Sequence, residues 1–192
     1  LQSEGKSREK AHSQAGAQTA GQGSHGVTPL KSSAADAQLP DAKDLIRKIA
    51  SRLGERPDDL SKILDVKSKG GGLLVSLTES ADFEMFKTGS AEPEPQMLKL
   101  ISAVAEALKD RRGDIFVRGH TDSRPYRSKY YDNWQLSTAR AHLARYMLIR
   151  GGIAENRIRR IEGVADREPR NLRDPQAPEN RRIEIFVGTE DQ

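Results

Sequence analysis

The residues with the clearest capacity for chemistry begin where an apolar strand is predicted to end. The run Ile115-Phe116-Val117 is typical of a buried strand, and it leads into Gly119-His120-Thr121-Asp122. We expect Gly119 to let the backbone turn sharply, because glycine lacks a Cβ. Thr121 and Asp122 are then expected just past the carboxyl end of the strand, where layered α/β folds commonly bind their ligands.

A second set of polar side chains is predicted on one face of the helix that follows. Asn133, Ser137 and Arg140 recur at intervals of four and three, which places them on the same helical face. If this helix packs against the strand end, Asp122 and Arg140 frame one small pocket. A carboxylate beside a guanidinium can hold a ligand that carries both an ammonium and a carboxylate. Taken singly, each residue also has an ordinary structural role, such as a loop cap for Asp122.

Four separated motifs together resemble the OmpA-like peptidoglycan-binding domain. They are Gly-His-Thr-Asp from 119, Asn-Trp-x-Leu-Ser-x-x-Arg-Ala from 133, Asn-Arg-Arg-Ile from 180, and Met-Phe-Lys-Thr-Gly-Ser-Ala-Glu from 85. The last motif is similar to that of the MotB family, the stator proteins of the bacterial flagellar motor. The resemblance covers roughly residues 60 to 187.

The resemblance also implies the site residues. Asp122 and Arg140 match the Asp and Arg that hold diaminopimelate of the cell-wall peptide in OmpA-like domains. Three further residues fall on positions that line this pocket, and Arg182 matches an arginine near it or instead braces the sheet edge. The expected peptidoglycan-binding residues are Thr121, Asp122, Asn133, Leu136, Arg140 and Arg182. The loop between Asp122 and Asn133 is longer than in the simplest OmpA-like domains, as it is in the MotB family.

The function implied is a non-catalytic anchor that fixes an ion-driven MotA/MotB stator to the cell wall. The alternative is an OmpA/Pal-like anchor of another envelope machine. The expected partners are peptidoglycan (its diaminopimelate stem peptide or muramic acid), a second copy of the chain, MotA and the flagellar P ring, with no nucleic acid, cofactor or metal. Because the chain starts at Leu1 rather than Met, we expect a periplasmic piece of a single-pass inner-membrane protein, with the membrane helix before Leu1.

Composition sets wider bounds. The 192 residues are 35% apolar and carry a net charge of +4, which favours anionic polymers only weakly. The absence of cysteine excludes disulfides and thiolate metal sites. No apolar run approaches the length of about eighteen residues that a membrane span needs.

The sequence also contains residue types found in hydrolases and in nucleic-acid-binding proteins. His120, Asp122 and Ser137 are the residue types of a hydrolase triad, but Ser137 falls within a predicted helix rather than on an exposed elbow. Basic and aromatic residues alternate in the loop 124–131, a composition that suits nucleic-acid bases, sugar rings or simply a solvated loop.

The periodicity predicts an α/β sandwich in the order β-β-α-β-α-β, a mixed sheet with helices packed on one face. We expect a flexible linker over 1–40, an amphipathic helical linker over 41–65, and the OmpA-like domain over 66–192. The stripe Leu45, Ile46, Ile49 and Leu53 must be covered by this domain or by a second copy of it. Segment 41–65 is also expected to control when the wall is bound, as the corresponding region does in MotB-like stators.

Overall fold

The computed structural model describes residues 39–126 and 131–188, where it has three α-helices and five strands. These elements are α1 (Leu39–Leu53), β1 (Leu64–Lys69), β2 (Gly72–Thr78), α2 (Pro95–Leu108), β3 (Asp114–His120), α3 (Asn133–Arg150), β4 (Ile158–Gly163) and β5 (Arg182–Gly188). The mixed α/β class is confirmed. After α1 the observed order is β-β-α-β-α-β-β, so the chain has one more strand at its end than the predicted order. Apart from its last two positions, the predicted linker 1–40 lies outside the described residues.

The strand order brings the ends of β2 and β3 and the start of β5 together at one end of the sheet. The strands are arranged β1-β2-β5-β3-β4, antiparallel except for the parallel pair β3 and β4. Arg182, the first residue of β5, pairs with Thr78 at the end of β2 and with His120 at the end of β3. The residues that follow β2 and β3 and precede β5 therefore lie close together.

The three helices cover one face of the sheet. Inward-facing side chains of β2, β3 and β5, such as Val75, Val117 and Ile185, are buried beneath them. Leu45 and Ile49 of α1 are fully buried in the same core. The apolar stripe of α1 is thus covered by its own domain, so it gives no reason to expect a second copy. None of the helices within the described ranges is long and apolar enough to cross a membrane.

Helix α3 lies unusually close to the sheet because two glycines face it. A Cβ on Gly119 would lie 2.2 Å from the Ser137 carbonyl oxygen, and one on Gly163 would lie 2.3 Å from the Thr138 amide nitrogen. The expected sharp turn at Gly119 is wrong: β3 continues through His120, and Gly119 lacks a positive φ. Its missing Cβ serves helix packing instead.

The start of α3 is fixed by a capping box, as the sequence predicts. The Asp132 side chain accepts a hydrogen bond from the backbone N–H of Gln135. The Gln135 side-chain oxygen in turn accepts one from the backbone N–H of Asp132. With the helix start and its distance from the sheet both set, the polar face of α3 is directed at the end of β3.

Candidate functional site

A cavity of about 900 Å³ opens at the end of the sheet where β2, β3 and β5 meet. Five of the six predicted site residues line it: Thr121, Asp122, Asn133, Leu136 and Arg140. The other lining residues are Glu79, Glu84, Phe86, Thr88, Gly89, Arg124, Pro125, Tyr126 and Arg181. Three carboxylates and three guanidiniums therefore line one cavity, which suits a ligand that carries both signs of charge.

Asp122 is the buried carboxylate of the cavity, and its side chain is only 7% exposed. Its Oδ2 accepts hydrogen bonds from Arg124 Nε at 2.8 Å and from Arg181 Nη1 at 2.7 Å. Its Oδ1 accepts one from the Arg124 backbone amide at 3.1 Å. Burial opposes ionisation, but these donors outweigh it and hold the pKa of the Asp122 carboxyl below its ordinary range.

Arg181 is held from its other side by Glu79, which directly follows β2. The Arg181 Nε donates to the Glu79 carboxylate, and the Arg181 carbonyl accepts the Glu79 amide at 3.1 Å. The second oxygen of Glu79 accepts the Met85 amide at 3.3 Å. Because Glu79 is 3% exposed, this contact is shielded from water, and Arg181 is fixed between two buried carboxylates.

Arg140 is the buried cation on the α3 side of the cavity. It is 3% exposed, its Nε donates to the Ser90 carbonyl at 2.9 Å, and its guanidinium lies 4.8 Å from the Phe86 ring centroid. In the described part of the chain its Nη atoms form no hydrogen bond or ion pair. Burial lowers the pKa of the Arg140 guanidinium from its usual range, and the Glu79 carboxylate opposes that shift. Arg140 therefore retains donor capacity for an anion.

Polar groups around these charges shape the cavity. The side-chain Nδ2 of Asn133 donates to the backbone carbonyls of Asp122 and Arg124, at 3.2 and 3.1 Å. It thereby connects α3 to the residues that follow β3. The Thr121 hydroxyl is buried and has no hydrogen-bond partner within the described residues. Tyr126 donates its hydroxyl to the Gly89 carbonyl, and its ring centroid lies 5.0 Å from that of Tyr131. Part of the basic and aromatic loop, residues 127–130, lies outside the described residues.

Arg182, the sixth predicted site residue, does not line the cavity. Its Nε donates to Glu184 at 2.8 Å within β5, and its Nη1 donates to the Asn180 carbonyl at 3.4 Å. Because β5 is the central strand, Arg182 does not lie at the sheet edge that the alternative named, and its part in wall binding stays a prediction. The neighbouring Arg181 reaches the cavity instead, since it precedes the strand rather than pairing in its ladder.

The hydrolase residues are not joined as a triad. Ser137 is fully buried in α3, where its hydroxyl donates to the Trp134 carbonyl and accepts the Ala165 amide. His120 Nε2 lies 3.3 Å from the Glu184 carboxylate, whereas Asp122 bonds to arginines. Helix α3 packs Ser137 against Gly163, so its hydroxyl is not exposed in the way that a nucleophile would need.

Comparison with known proteins places the chain in a family. The model of the OmpA family matches residues 85–183, just over half of the chain. Motility protein B of Escherichia coli strain K12 is 38% identical over 118 residues, which are 60% of this chain and 38% of that protein. The chain thus spans well under half the length of this relative.

Solved structures agree with the family match. The cell wall anchor of the T6SS from Pseudomonas aeruginosa is 30% identical, has a TM-score of 0.60, and covers 74% of this chain and 97% of its own. The periplasmic domain of Helicobacter pylori MotB has the same fold, with 22% identity, a TM-score of 0.58, and coverage of 67% and 80%. This chain belongs to the OmpA family.

Proposed function

We propose that this chain is a non-catalytic peptidoglycan-binding anchor, the periplasmic region of a MotB-like flagellar stator protein. The observation that carries the proposal is the cavity in which buried Asp122 and buried Arg140 are brought together, with the Arg140 Nη atoms unpaired among the described residues. The 38% identity to motility protein B supports it, as does the match of the OmpA family model to residues 85–183, which include Asp122 and Arg140.

The ligand group that fits this cavity is the zwitterionic end of diaminopimelate in the stem peptide. Asp122 takes the ammonium, and Arg140 binds the carboxylate with its Nη donors, which have no partner among the described residues. The Thr121 hydroxyl, buried without a partner in the described chain, supplies a further hydrogen bond. Asn133 holds the two walls of the cavity together and donates nothing to the ligand, because its Nδ2 already donates to two backbone carbonyls.

Binding to purified sacculi tests the proposal. Asp122→Asn leaves the ligand ammonium without its counterpart, and Arg140→Ala leaves the ligand carboxylate without its own. We therefore expect each to lower sacculus binding by at least tenfold. Arg56→Ala, which removes an exposed arginine of the same charge, is the control and should bind like the unchanged protein. Circular dichroism should be unchanged in all three variants. Full binding by both site variants would refute the assignment of the site.

An anchor of another envelope machine is the second candidate. It is favoured by the 30% identity and 0.60 TM-score to the cell wall anchor of the T6SS. The two candidates differ in how they are held at a membrane: a stator has a membrane helix bearing an Asp, whereas an OmpA/Pal-like lipoprotein has a lipid-modified Cys. Copurification of the full-length protein with MotA supports the stator, and capture of a different inner-membrane machine supports the alternative.

The proposed stator is an assembly of several chains. It contains two copies of this chain and MotA subunits around its membrane helix, and it docks near the P ring. Because the apolar stripe of α1 is buried in its own domain, pairing of two copies has to use another surface or the segment before this domain. Light scattering over a concentration series measures whether the chain pairs by itself.

A further inference from the structure

We propose that Arg124 is an exchangeable occupant of the ligand's cation position, whereas Arg181 is a permanent part of the site. Both guanidiniums bond to the same Asp122 oxygen, but only Arg124 is released when a ligand ammonium enters. This inference rests on the proposed function, since it concerns how a ligand with an ammonium reaches Asp122. It makes Arg124 a residue that sets affinity and selectivity by competing with the ligand.

The two arginines differ in burial and in number of partners. The Arg124 side chain is 53% exposed and, within the described residues, bonds to the Asp122 carboxylate alone. The Arg181 side chain is 16% exposed and bonds to Asp122 and Glu79 together. Releasing Arg124 returns a half-exposed guanidinium to water, which costs little. Releasing Arg181 leaves two buried carboxylates short of a donor, which costs much more.

The backbone at Arg124 is fixed independently of its side chain. Its amide donates to Asp122 Oδ1 at 3.1 Å, and its carbonyl accepts the Asn133 amide at 3.1 Å. The guanidinium can therefore leave Oδ2 while the backbone at Arg124 keeps its position. Only a side-chain rotation is needed, and the two cavity walls joined by Asn133 stay in place.

The exchange conserves charge and donors at Asp122. Before binding, Oδ2 accepts Arg124 Nε, Arg124 Nη2 and Arg181 Nη1. After binding, a primary ammonium supplies up to three N–H donors in place of the two from Arg124, while Arg181 remains. A ligand that has the carboxylates but no ammonium cannot make this exchange, because it has nothing to donate to Asp122. Arg124 thus weakens binding of ammonium ligands only.

Calorimetric titration of the whole chain with meso-diaminopimelate and with pimelate, its analogue without amines, tests the inference. Arg124→Gln should tighten diaminopimelate binding by about two- to fivefold, the factor expected for removing one ion pair whose cation is half-exposed. It should leave pimelate binding equal or weaker. Arg181→Gln should weaken diaminopimelate binding. Arg56→Gln, the control at an exposed arginine, should leave the affinity for both ligands unchanged.

A second readout follows each side chain directly in the unchanged protein. On addition of diaminopimelate, the Arg124 Nε–H should begin to exchange rapidly with solvent in NMR spectra, while the Arg181 Nε–H stays protected. Weaker diaminopimelate binding by Arg124→Gln, or a continued bond of Arg124 to Asp122 in the complex, overturns the exchange. If the unchanged protein binds neither diaminopimelate nor sacculi, the proposed function fails as well, so the two failures are distinguishable.

Discussion

At the scale of single residues, the chemistry of the site depends on the planar fork of Arg140. Its Nε is used by the Ser90 carbonyl, so a ligand carboxylate has to bind through the two Nη atoms. Lysine offers one compact ammonium and cannot reproduce both the Ser90 bond and a two-point grip. The geometry therefore favours arginine at this position for more than its charge.

We expect the site to prefer diaminopimelate over lysine by about ten- to a hundredfold. Within a stem peptide, lysine keeps only its side-chain ammonium and lacks the second carboxylate of diaminopimelate. It therefore leaves Arg140 unpaired, which costs about 1–3 kcal/mol. Arg140→Lys should erode this preference although the charge is kept. Calorimetric titration with stem peptides that contain either diaminopimelate or lysine, and with N-acetylmuramic acid, measures it. Equal affinity for lysine, or binding of the sugar alone, would favour a site in which muramic acid contacts Tyr126 and Tyr131.

Some of the cavity residues can be predicted from the sequence, and others cannot. Asp122 and Arg140 can be found because strand-end position and helical spacing are local properties, and the family motif singles them out. The choice between Arg181 and Arg182 depends on which residue begins the β5 ladder, and that register is a tertiary property. Glu79 follows a different strand, 43 residues before Asp122 in sequence, so no local pattern connects it to the cavity.

At the scale of elements, the close approach of α3 to β3 decides where Arg140 lies. Gly119→Ala places a methyl group 2.2 Å from the Ser137 carbonyl, and the backbone must shift to make room. We expect a loss of about 1–3 kcal/mol in the free energy of unfolding, together with weaker sacculus binding. Urea unfolding and sacculus pull-down measure the two effects.

Gly54→Ala is the matched control for this substitution. Gly54 has a φ of +71° and nothing within 4 Å of an added Cβ, so alanine there strains the backbone without moving a neighbour. It should lose stability and keep full sacculus binding. If Gly119→Ala also loses stability but keeps full sacculus binding, the contact of Gly119 with α3 does not position the site.

Helix α1 shows where element-level prediction is incomplete. Periodicity correctly predicts an amphipathic helix ending at Gly54, but it does not say which surface covers the stripe. The structure covers it with α2 and β1, and Arg111 reaches Asp41 while Arg52 reaches Glu106. The role of 41–65 as a linker that controls wall binding stays a prediction. Any release of α1 would expose Leu45 and Ile49, which makes that control energetically costly.

At the scale of the whole molecule, the two faces of the sheet differ in chemistry. The face under the helices is apolar, whereas the other face carries alternating charges around the half-buried rings of Phe116 and Phe186, whose centroids are 5.9 Å apart. Alternation along the strands predicts this division, because successive side chains point to opposite faces. The ion pairs that cross strands could not be predicted, since they depend on the insertion of β5 between β2 and β3.

Glu184 lies at the centre of the charged face and links the fold's stability to pH. Arg182 donates to it at 2.8 Å, His120 lies 3.3 Å away, and Arg118 is its partner in the β3 ladder. Burial disfavours the ionised form, but His120 and Arg182 outweigh it and lower the pKa of Glu184 from 4.5 to about 2. The folded state thus binds a proton less readily than the unfolded chain does.

Because the folded pKa is depressed, Glu184 contributes its stability above about pH 4.5 and loses it as the pH falls towards 2. The contribution is at most about 3 kcal/mol for a shift of this size. We expect Glu184→Gln to be less stable than the unchanged protein at pH 6, and the difference in free energy of unfolding to shrink steadily by pH 2.5. Urea unfolding at each pH measures it, with exposed Glu55→Gln as the control. A difference that stays constant between pH 6 and pH 2.5 would show that Glu184 is not the group through which acid acts on this fold.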